Sequence, residues 1–308
     1  MNEIIEKIKS YNNIVIFRHQ SPDYDAFGSS FGFYEILKAT YPNKKIYLAG
    51  EFTSDLIEKF DINLDTSLKY DSNTLGIVLD TANSDRIDGE YSKCKEFIKI
   101  DHHPIVENYA DIQIVDDTAS STCQLVTHFY NDYKDELKIT LSAANNLYMG
   151  IIGDSSRFLF KSTDARTFKA AGILVDLGVD ITTIYNKMYL SNEKDMLIKK
   201  HILNAYRVNG HVAYYVLEDK DLKELDIPRE RGSDFVNMLS QVKEYYVWVA
   251  VTQNTVDNNY RVSIRSRDYC VNKVANKYNG GGHALASGCR LDSIDQLPNL
   301  LKDLNDLF

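Results

Sequence analysis

The sequence predicts an α/β protein with a parallel sheet in its N-terminal part and a second, smaller α/β domain in its C-terminal part. In the first half of the chain, short apolar runs rich in β-branched residues alternate with segments of helical periodicity. The 308 residues exceed what one hydrophobic core commonly serves. From residue 211 onward, the pattern changes to longer alternating strands, with a helical stretch over residues 231–242. We therefore predict a first domain over residues 1–190, a connector helix over 191–210 and a second domain over 211–308.

The charge and the cysteines of the chain exclude several classes of partner. A formal net charge of -9 disfavours a protein that coats long nucleic acid, because each phosphate contact needs a basic group, but it allows a small anion in a local basic pocket. The four cysteines, Cys94, Cys123, Cys270 and Cys289, form no CxxC pair, so we expect free thiols rather than a disulfide framework or a zinc site with thiolate ligands. Residues 1–10 lack the apolar core of a signal peptide, and no run is long enough for a membrane span, so we expect a cytoplasmic protein.

Five apolar runs predict the strands of the first sheet. They cover, in chain order, residues 13–17, 45–48, 76–79, 97–100 and 112–115. Strands that alternate with helices imply βαβ units, in which all strands present their carboxyl ends at one edge of the sheet. Open α/β sheets carry their chemistry at this edge. Side chains that follow different strands can therefore converge although they lie far apart in sequence.

Histidines and aspartates stand at the ends of these predicted elements. They follow the first, third and fourth runs, and one aspartate ends the helical stretch that begins at residue 141. A carboxylate at the carboxyl end of a helix is unfavourable unless a cation compensates it. Each of these residues alone is also typical of an ordinary turn or helix cap. Residues 119–122 open a further helix, whose amides could hold an anion or be capped in the ordinary way. The predicted site residues are His19, Asp23, Asp25, Asp80, His102, His103 and Asp154.

Taken together, these residues predict a metal centre. Aspartates crowded at one sheet edge would repel one another strongly without a cation. Imidazole and carboxylate ligands without thiolate favour manganese, iron, magnesium or zinc, and manganese (Mn2+) suits these ligand types best. Asp80, alone at its strand end, is the natural bridge between two divalent ions about 3.5–4 Å apart, the separation that activates water for phosphoester hydrolysis.

Five separated motifs resemble, in order and spacing, the signatures of the DHH phosphoesterase superfamily and of its associated DHHA1 domain. They are His19-x3-Asp23-x-Asp25, Asp80, Asp101-His102-His103, Asp154 and Gly280-Gly281-Gly282-His283. The resemblance runs through almost the whole chain. Its length and its pair of domains are most similar to the RecJ-like nano-RNase/pAp phosphatase group.

The resemblance implies a role for each matched residue. One metal ion would be bound by His19, Asp23 and Asp80. The other ion would be bound by Asp25, Asp80, His102 and Asp154. His103 would be the catalytic histidine outside the ligand set, in contact with the substrate or the leaving group. Two departures concern the pocket rather than the ligands, because Tyr24 replaces a common glycine and Ser155-Ser156 replaces a common Thr-Gly pair.

The second predicted domain contains a local excess of positive charge. Residues 260–267 alternate in polarity, which places Arg261, Arg265 and Arg267 on one face of a strand. Residues 261–290 contain six basic side chains and one acidic side chain. A solvated sheet face would explain the alternation, but arginine also matches the oxygens of phosphate. We predict a substrate pocket formed by Arg265, Arg267, Gly280, Gly281, Gly282 and His283.

The predicted activity is metal-dependent phosphoester hydrolysis. The resemblance implies that dinucleotides, other short oligonucleotides (nanoRNA) and 3'-phosphoadenosine 5'-phosphate (pAp) are cleaved to nucleoside monophosphates, with the second domain holding the far end of the substrate. It also implies a runner-up, a phosphodiesterase acting on cyclic di-AMP or its linear product pApA. A family II inorganic pyrophosphatase shares the metal ligands but lacks the Gly-Gly-Gly-His motif. A nucleotide sensor without catalysis would be expected to have lost a ligand.

Overall fold

A computed structural model describes residues 2–52, 55–60, 62 and 68–308 of the chain. The chain forms two compact units, residues 1–190 and 191–308. Each unit has its own hydrophobic core. The predicted α/β class is confirmed in both.

A parallel sheet forms the centre of the first unit, as predicted. Its strands within the described residues are β1 (Asn13–Phe17), β2 (Lys45–Leu48), β3 (Thr74–Leu79), β4 (Glu96–Asp101) and β5 (Ile112–Val115). They are ordered β2-β1-β3-β4-β5, and each neighbouring pair is parallel. Strands β1 and β3 are buried along their whole length, as is usual for a parallel sheet covered on both faces. These strands all end at one edge.

Helices cover this sheet. Within the described residues they are α1 (Asn2–Ser10), α2 (Tyr24–Thr40), α3 (Thr122–Asp132), α4 (Leu141–Asp154), α5 (Ala165–Asp176) and α6 (Ile181–Tyr189). Helices α2 and α4 approach closely because glycine faces the partner helix. A Cβ atom on Gly28 would lie only 2.6 Å from the carbonyl oxygen of Asn146, so any residue other than glycine would clash there. This close packing brings the start of α2 beside the end of α4.

The connections between strands are less helical than the alternation predicted. Between β3 and β4 the chain forms two short 3-10 turns, Ser84–Arg86 and Tyr91–Lys93. Between β4 and β5, all of which is described, there is no helix. Residues 80–95 are rich in Asp, Ser, Asn and Gly, whose side chains and backbone favour turns over helix.

A mixed sheet forms the second unit, every residue of which is described. Its strands are β6 (Arg207–Asn209), β7 (Val212–Leu217), β8 (Val247–Asn254), β9 (Asn259–Ser266), β10 (Gly281–Gly282) and β11 (Ala286–Leu291). They are ordered β10-β11-β9-β8-β7-β6, with β7 and β8 parallel and the other pairs antiparallel. Its helices are α7 (Glu193–Ala205), α8 (Asp219–Glu224), α9 (Asn272–Ala275) and α10 (Leu297–Asn305).

One helical segment predicted in the second unit is wrong. Instead of a helix over residues 231–242, the chain forms the 3-10 turns Arg229–Ser233 and Val236–Leu239. Gly232 packs directly on β8, where an added Cβ would lie 2.2 Å from Thr252 Oγ1. This tertiary contact overrides the local periodicity. Within the described residues, no helix is both long enough and apolar enough to cross a lipid bilayer.

Candidate metal centre and active site

The carboxyl edge of the parallel sheet gathers all seven residues that the sequence singled out there. His19 follows β1, Asp80 follows β3 and His102 follows β4. The helices supply the carboxylates that complete the cluster. Three overlapping groups could each hold a cation, with ligand atoms within 4.8 Å of one another: His19, Asp23 and Asp80; Asp25, His102 and Asp154; and Asp80, His102 and His103.

In the first group, Asp23 and Asp80 face the same ring nitrogen. His19 Nε2 lies 3.9 Å from Asp23 Oδ1 and 3.5 Å from Asp80 Oδ2. The other nitrogen, Nδ1, is 2.9 Å from the Gln20 carbonyl oxygen, to which it can donate, and this leaves Nε2 to bind a metal. Asp23 is also the N-cap of α2, because its Oδ1 accepts the amides of Asp25 and Ala26.

In the second group, His102 lies among carboxylates. Its Nε2 is 3.8 Å from Asp25 Oδ2 and 3.4 Å from Asp154 Oδ2. It is also 3.5 Å from Asp80 Oδ1. His102 Nδ1 is 3.3 Å from the Ala119 carbonyl oxygen, which again orients Nε2 towards the carboxylates.

Asp80 connects the groups. One of its oxygens, Oδ2, faces His19, and the other, Oδ1, faces His102. The residue is buried, and its backbone has the left-handed φ of 53°, which is uncommon outside glycine and concentrates at functional sites. Thr122 Oγ1 donates to Oδ1 at 3.1 Å, a contact that the sequence does not reveal. The carboxylate is thus held so that each oxygen points to a different candidate cation position.

The N-terminus of α3 holds a carboxylate of the site. The sequence allowed its amides either to bind an anion or to be capped in the ordinary way, and both occur. Ser121 caps the helix, and the amides of Thr122 and Cys123 donate to Asp25 at 2.6 and 2.9 Å. The positive end of the helix dipole favours this charge. Asp25 is therefore positioned from a helix about a hundred residues away in the sequence.

The pKa values of these carboxylates show that their negative charges repel one another. Burial opposes a charge on Asp80, but the hydrogen bond with His19 and the neighbouring histidines lower its pKa to about 2. Burial and the charges of Asp23 and Asp80 raise the pKa of Asp154 to about 8. Burial and the charges of Asp80 and Asp154 raise the pKa of Asp25 well above its usual range. Ionisation of all these carboxylates together therefore requires added positive charge, and their oxygens with two imidazoles form a donor set that fits divalent cations.

His103 is held differently from the other two histidines. Its Nδ1 is 2.8 Å from Asp101 Oδ1 and 3.5 Å from Asp80 Oδ1. Although burial opposes it, the hydrogen bond to Asp101 and the charges of Asp80 and Asp101 raise the pKa of His103 to about 9. The pairing of Nδ1 with Asp101 leaves Nε2 available to a substrate.

A buried lysine behind Asp101 completes this arrangement. Lys99 Nζ lies 3.2 Å from Asp101 Oδ2 and donates to the Ala82 carbonyl oxygen at 2.9 Å. Both side chains of the ion pair are fully buried. Sequence reasoning, which treats residues 97–100 as an apolar run, misses this lysine. The available signal is its position two residues before Asp101, on the same face of the strand.

The predicted substrate residues of the second unit fall into two sets, three residues with long polar side chains and the three glycines of a hairpin. Arg265 is half-buried, and its Nη1 donates to the carbonyl oxygens of Ile264 and Ser287. Arg267 is exposed, and its Nη2 donates to the carbonyl oxygens of Ser240 and Val242. His283 is also exposed, and its backbone pairs with Ala286 in a tight hairpin.

The glycines at this hairpin serve close strand pairing. Gly281 pairs with Gly288 of β11, and Gly282 pairs with Ser287. A Cβ on Gly280 would lie 2.2 Å from the Gly288 carbonyl oxygen. The Gly280 amide donates to the Ala275 carbonyl oxygen, so this amide is engaged within the fold. An anion-binding role for these glycines stays a prediction.

The fold and this site define an α/β protein whose histidine and aspartate side chains could hold divalent cations. Residues 13–151 match the model of the DHH family, N-terminal domain, and residues 209–308 match that of the DHHA1 domain. The chain belongs to the DHH family and is therefore a hydrolytic phosphoesterase.

Two curated relatives cover almost the whole chain. The first, from Bacillus subtilis, is named bifunctional oligoribonuclease and PAP phosphatase NrnA and is 34% identical over 99% of this chain and 97% of its own. The second, from Streptococcus mutans, is named probable bifunctional oligoribonuclease and PAP phosphatase NrnA and is 33% identical over 99% of this chain and 98% of its own. A solved structure of an exopolyphosphatase-related protein from Bacteroides fragilis has a TM-score of 0.85 at 24% identity, covering 98% of this chain and 94% of that one, and shares the fold.

Proposed function

We propose that this protein hydrolyses short oligonucleotides and pAp to nucleoside monophosphates, using two divalent ions for which manganese is favoured. The observation that carries the proposal is Asp80, whose two oxygens face two separate histidine-carboxylate groups. The names of the two relatives that span the chain support this substrate class. The four cysteines are free thiols, which fits a reducing cytoplasm.

The two ions would be shared among the ligands as the family pattern implies. His19, Asp23 and Asp80 would hold one, and the other would be held by Asp25, Asp80, His102 and Asp154. Bound there, the ions would activate water and neutralise charge on the phosphoryl oxygens. The protein's own part is to keep both oxygens of Asp80 unprotonated, which its pKa of about 2 ensures at neutral pH.

His103 would act on the leaving group. The hydrogen bond of Nδ1 with Asp101 raises the pKa of His103 and favours the protonated ring, in which both nitrogens carry hydrogen. Nδ1–H donates to Asp101, which fixes the ring, and Nε2–H is the proton available to a departing oxygen. The buried Lys99 holds Asp101 in turn. Asp101 would therefore orient His103 rather than bind a metal ion.

The second unit would bind the part of the substrate away from the cleaved bond. Arg265 and His283 would contact the terminal phosphate or nucleotide, since an arginine fork and an imidazole both suit phosphate oxygens. Gly280, Gly281 and Gly282 would shape the hairpin that carries His283, as the positive φ of 132° at Gly282 requires. Arg267, which is fastened to backbone carbonyls, would order the end of β9 beside the pocket.

A substrate panel tests this proposal. Turnover with manganese should be measured for pAp, a dinucleotide, pApA, cyclic di-AMP and pyrophosphate under identical conditions. We expect pAp and the dinucleotide to be the best substrates by kcat/KM. A clear preference for cyclic di-AMP or pApA would replace the proposal by the runner-up activity, and hydrolysis of pyrophosphate alone would contradict it.

A further inference from the structure

A cavity in the second unit is lined by arginines that the proposed reaction does not use. Its volume is about 380 Å³, and its lining includes Arg229, Glu230, Arg261 and Arg290. The polar residues Ser233 and Ser263 also belong to the lining, as does Gly280 at the start of the glycine hairpin. The cavity therefore combines positive charge with neutral hydrogen-bond donors.

Two of these arginines lie opposite each other on neighbouring strands of the sheet. The register of the antiparallel pair places Arg290 of β11 directly opposite Arg261 of β9. Like charges in directly opposite positions destabilise an antiparallel pair. Both side chains are exposed, and neither forms a hydrogen bond or ion pair with any described residue. This pair is therefore an unfavourable feature for the fold alone.

The acidic side chain of the cavity does not relieve this repulsion. Glu230 Oε1 accepts from Arg229 Nε at 2.7 Å, and Arg229 Nη1 donates to Asn254 Oδ1. The pKa of Glu230 is lowered first by this bond with Arg229, and the charge of Arg261 contributes least. Arg229 and Glu230 thus neutralise each other. The charges of Arg261 and Arg290 remain, so the cavity has a net charge of two positive units that a doubly negative ligand would balance. Paired guanidinium groups and hydroxyls match the oxygens of phosphate.

We propose that Arg261, Arg290 and the cavity around them form a second phosphate-binding site, separate from Arg265 and His283. Its ligand carries either a doubly charged phosphate or two linked phosphates. Arg261 and Arg265 lie on the same face of β9, four residues and therefore about 13 Å apart. The phosphates can thus belong to the backbone of an oligonucleotide that extends past Arg265, or to a free anion. The oligonucleotide source rests on the proposed function, and the free-anion source does not.

The first experiment compares substrates of different length. We would measure kcat/KM for a dinucleotide and a hexanucleotide with the wild type, Arg261→Thr and Arg290→Thr, because threonine preserves strand propensity. Loss of one charge-assisted contact should lower hexanucleotide turnover about tenfold to a hundredfold and leave the dinucleotide within about twofold. Arg207→Thr, which removes an exposed arginine from β6, is the matched control and should leave both substrates unchanged.

The second experiment tests binding without turnover. Inorganic phosphate should raise the thermal midpoint of the wild type more than that of Arg261→Thr or Arg290→Thr, since a ligand stabilises the protein that binds it. Each protein retains the same metal centre, so the difference between them reports the cavity. Without phosphate, both variants should unfold at the same temperature as the wild type or higher, because the repulsion is relieved.

The outcomes are distinguishable. A selective loss on the hexanucleotide supports the oligonucleotide source, and a smaller phosphate shift with unchanged hexanucleotide turnover supports the free anion. Equal losses on both substrates, or variants that match the wild type in both experiments, would overturn the second site. If the wild type cleaves neither nucleotide, the proposed function fails, and the phosphate shift still decides whether the cavity binds anions.

Discussion

Two charged clusters of this protein, the candidate metal centre and the arginine pair of the second unit, accommodate like charges in opposite ways. At the metal centre, Asp25 and Asp80 are buried, and the repulsion is relieved by keeping some carboxylates protonated until a cation binds. In the second unit, Arg261 and Arg290 stand opposite each other but are exposed to water. Water screens the repulsion there, at a small cost to stability. Burial therefore decides how much a cluster depends on its ligand.

Because of this difference, we expect the two clusters to exchange their ligands at different rates. A buried carboxylate cluster must take up protons when it releases its cations, so release is costly at neutral pH and the cations should be retained through turnover. An exposed arginine pair is tolerable when empty, so its ligand should bind and leave readily. We therefore expect a permanent cofactor site at the metal centre and an exchanging anion site at the arginine pair.

The largest expected effect comes from removing the charge of Asp80. Asp80→Asn should lower kcat by more than about 10³-fold, since several kcal/mol of charge stabilisation by the ions would be lost. Asparagine tolerates the left-handed backbone at this position, whereas alanine would add strain. Asp23→Asn is the matched variant, because asparagine also caps helices and Asp23 belongs to one candidate group. Turnover of Asp80→Asn equal to that of Asp23→Asn would contradict the shared-ligand assignment.

Removal of His103 should separate chemistry from metal binding. If His103 donates a proton to the leaving group, His103→Ala should reduce kcat about 10²-fold or more. The manganese content, measured by elemental analysis after gel filtration, should stay at the wild-type level because Nδ1 is paired with Asp101. Loss of manganese together with activity would place His103 among the ligands, as its group with Asp80 and His102 would allow.

A smaller effect should mark the substrate residues of the second unit. Arg265→Ala and His283→Ala should each reduce kcat/KM for pAp and dinucleotides by about tenfold to a hundredfold, the value of one charge-assisted hydrogen bond. Hydrolysis of bis(p-nitrophenyl) phosphate, which has no distal phosphate, should hardly change. Equal losses on both kinds of substrate would mean that these side chains support the fold or the metal centre.

The smallest effect concerns stability against pH in the metal-free protein. The pKa of Asp154 is raised to about 8 and that of His103 to about 9, so the folded state retains protons that the unfolded state releases. For Asp154, stability is lost as the pH rises from about 4 to about 8, and for His103 as it rises from about 6.5 to about 9, so stability falls throughout the range from about pH 6 to about pH 9. The thermal midpoint of the chelated protein should therefore fall over this range, by about 2–4 °C for each kcal/mol lost.

Two controls sharpen this measurement. Asp154→Asn should flatten part of the pH dependence of the chelated protein. Saturating manganese should raise the midpoint most at high pH, where the carboxylates are ionised. A midpoint of the chelated protein that is constant or rising between about pH 6 and pH 9 would contradict the account of charge conflict at this centre.

Much of the site is predictable from the amino-acid sequence, for a local reason. Short buried strands have a strong apolar signal, and parallel strands must end at one edge, so Asp80 and His102 are expected to meet. The resemblance of five ordered motifs supplies the division of ligands between two ions, which stays a prediction. The basic character of residues 261–290 is likewise visible in the charge count alone.

What only the tertiary structure decided depends on pairings between distant segments. The amides that hold Asp25 come from the start of α3, and Thr122 bonds Asp80, contacts that no local pattern encodes. The 3-10 turns at 229–239 form because Gly232 packs on β8, against the helical periodicity of that stretch. The opposition of Arg261 and Arg290 depends on strand register, which a shift of one residue would abolish. Composition and periodicity determine which elements and charges exist, whereas register and packing determine which of them meet, because those contacts are formed by residues far apart in the chain.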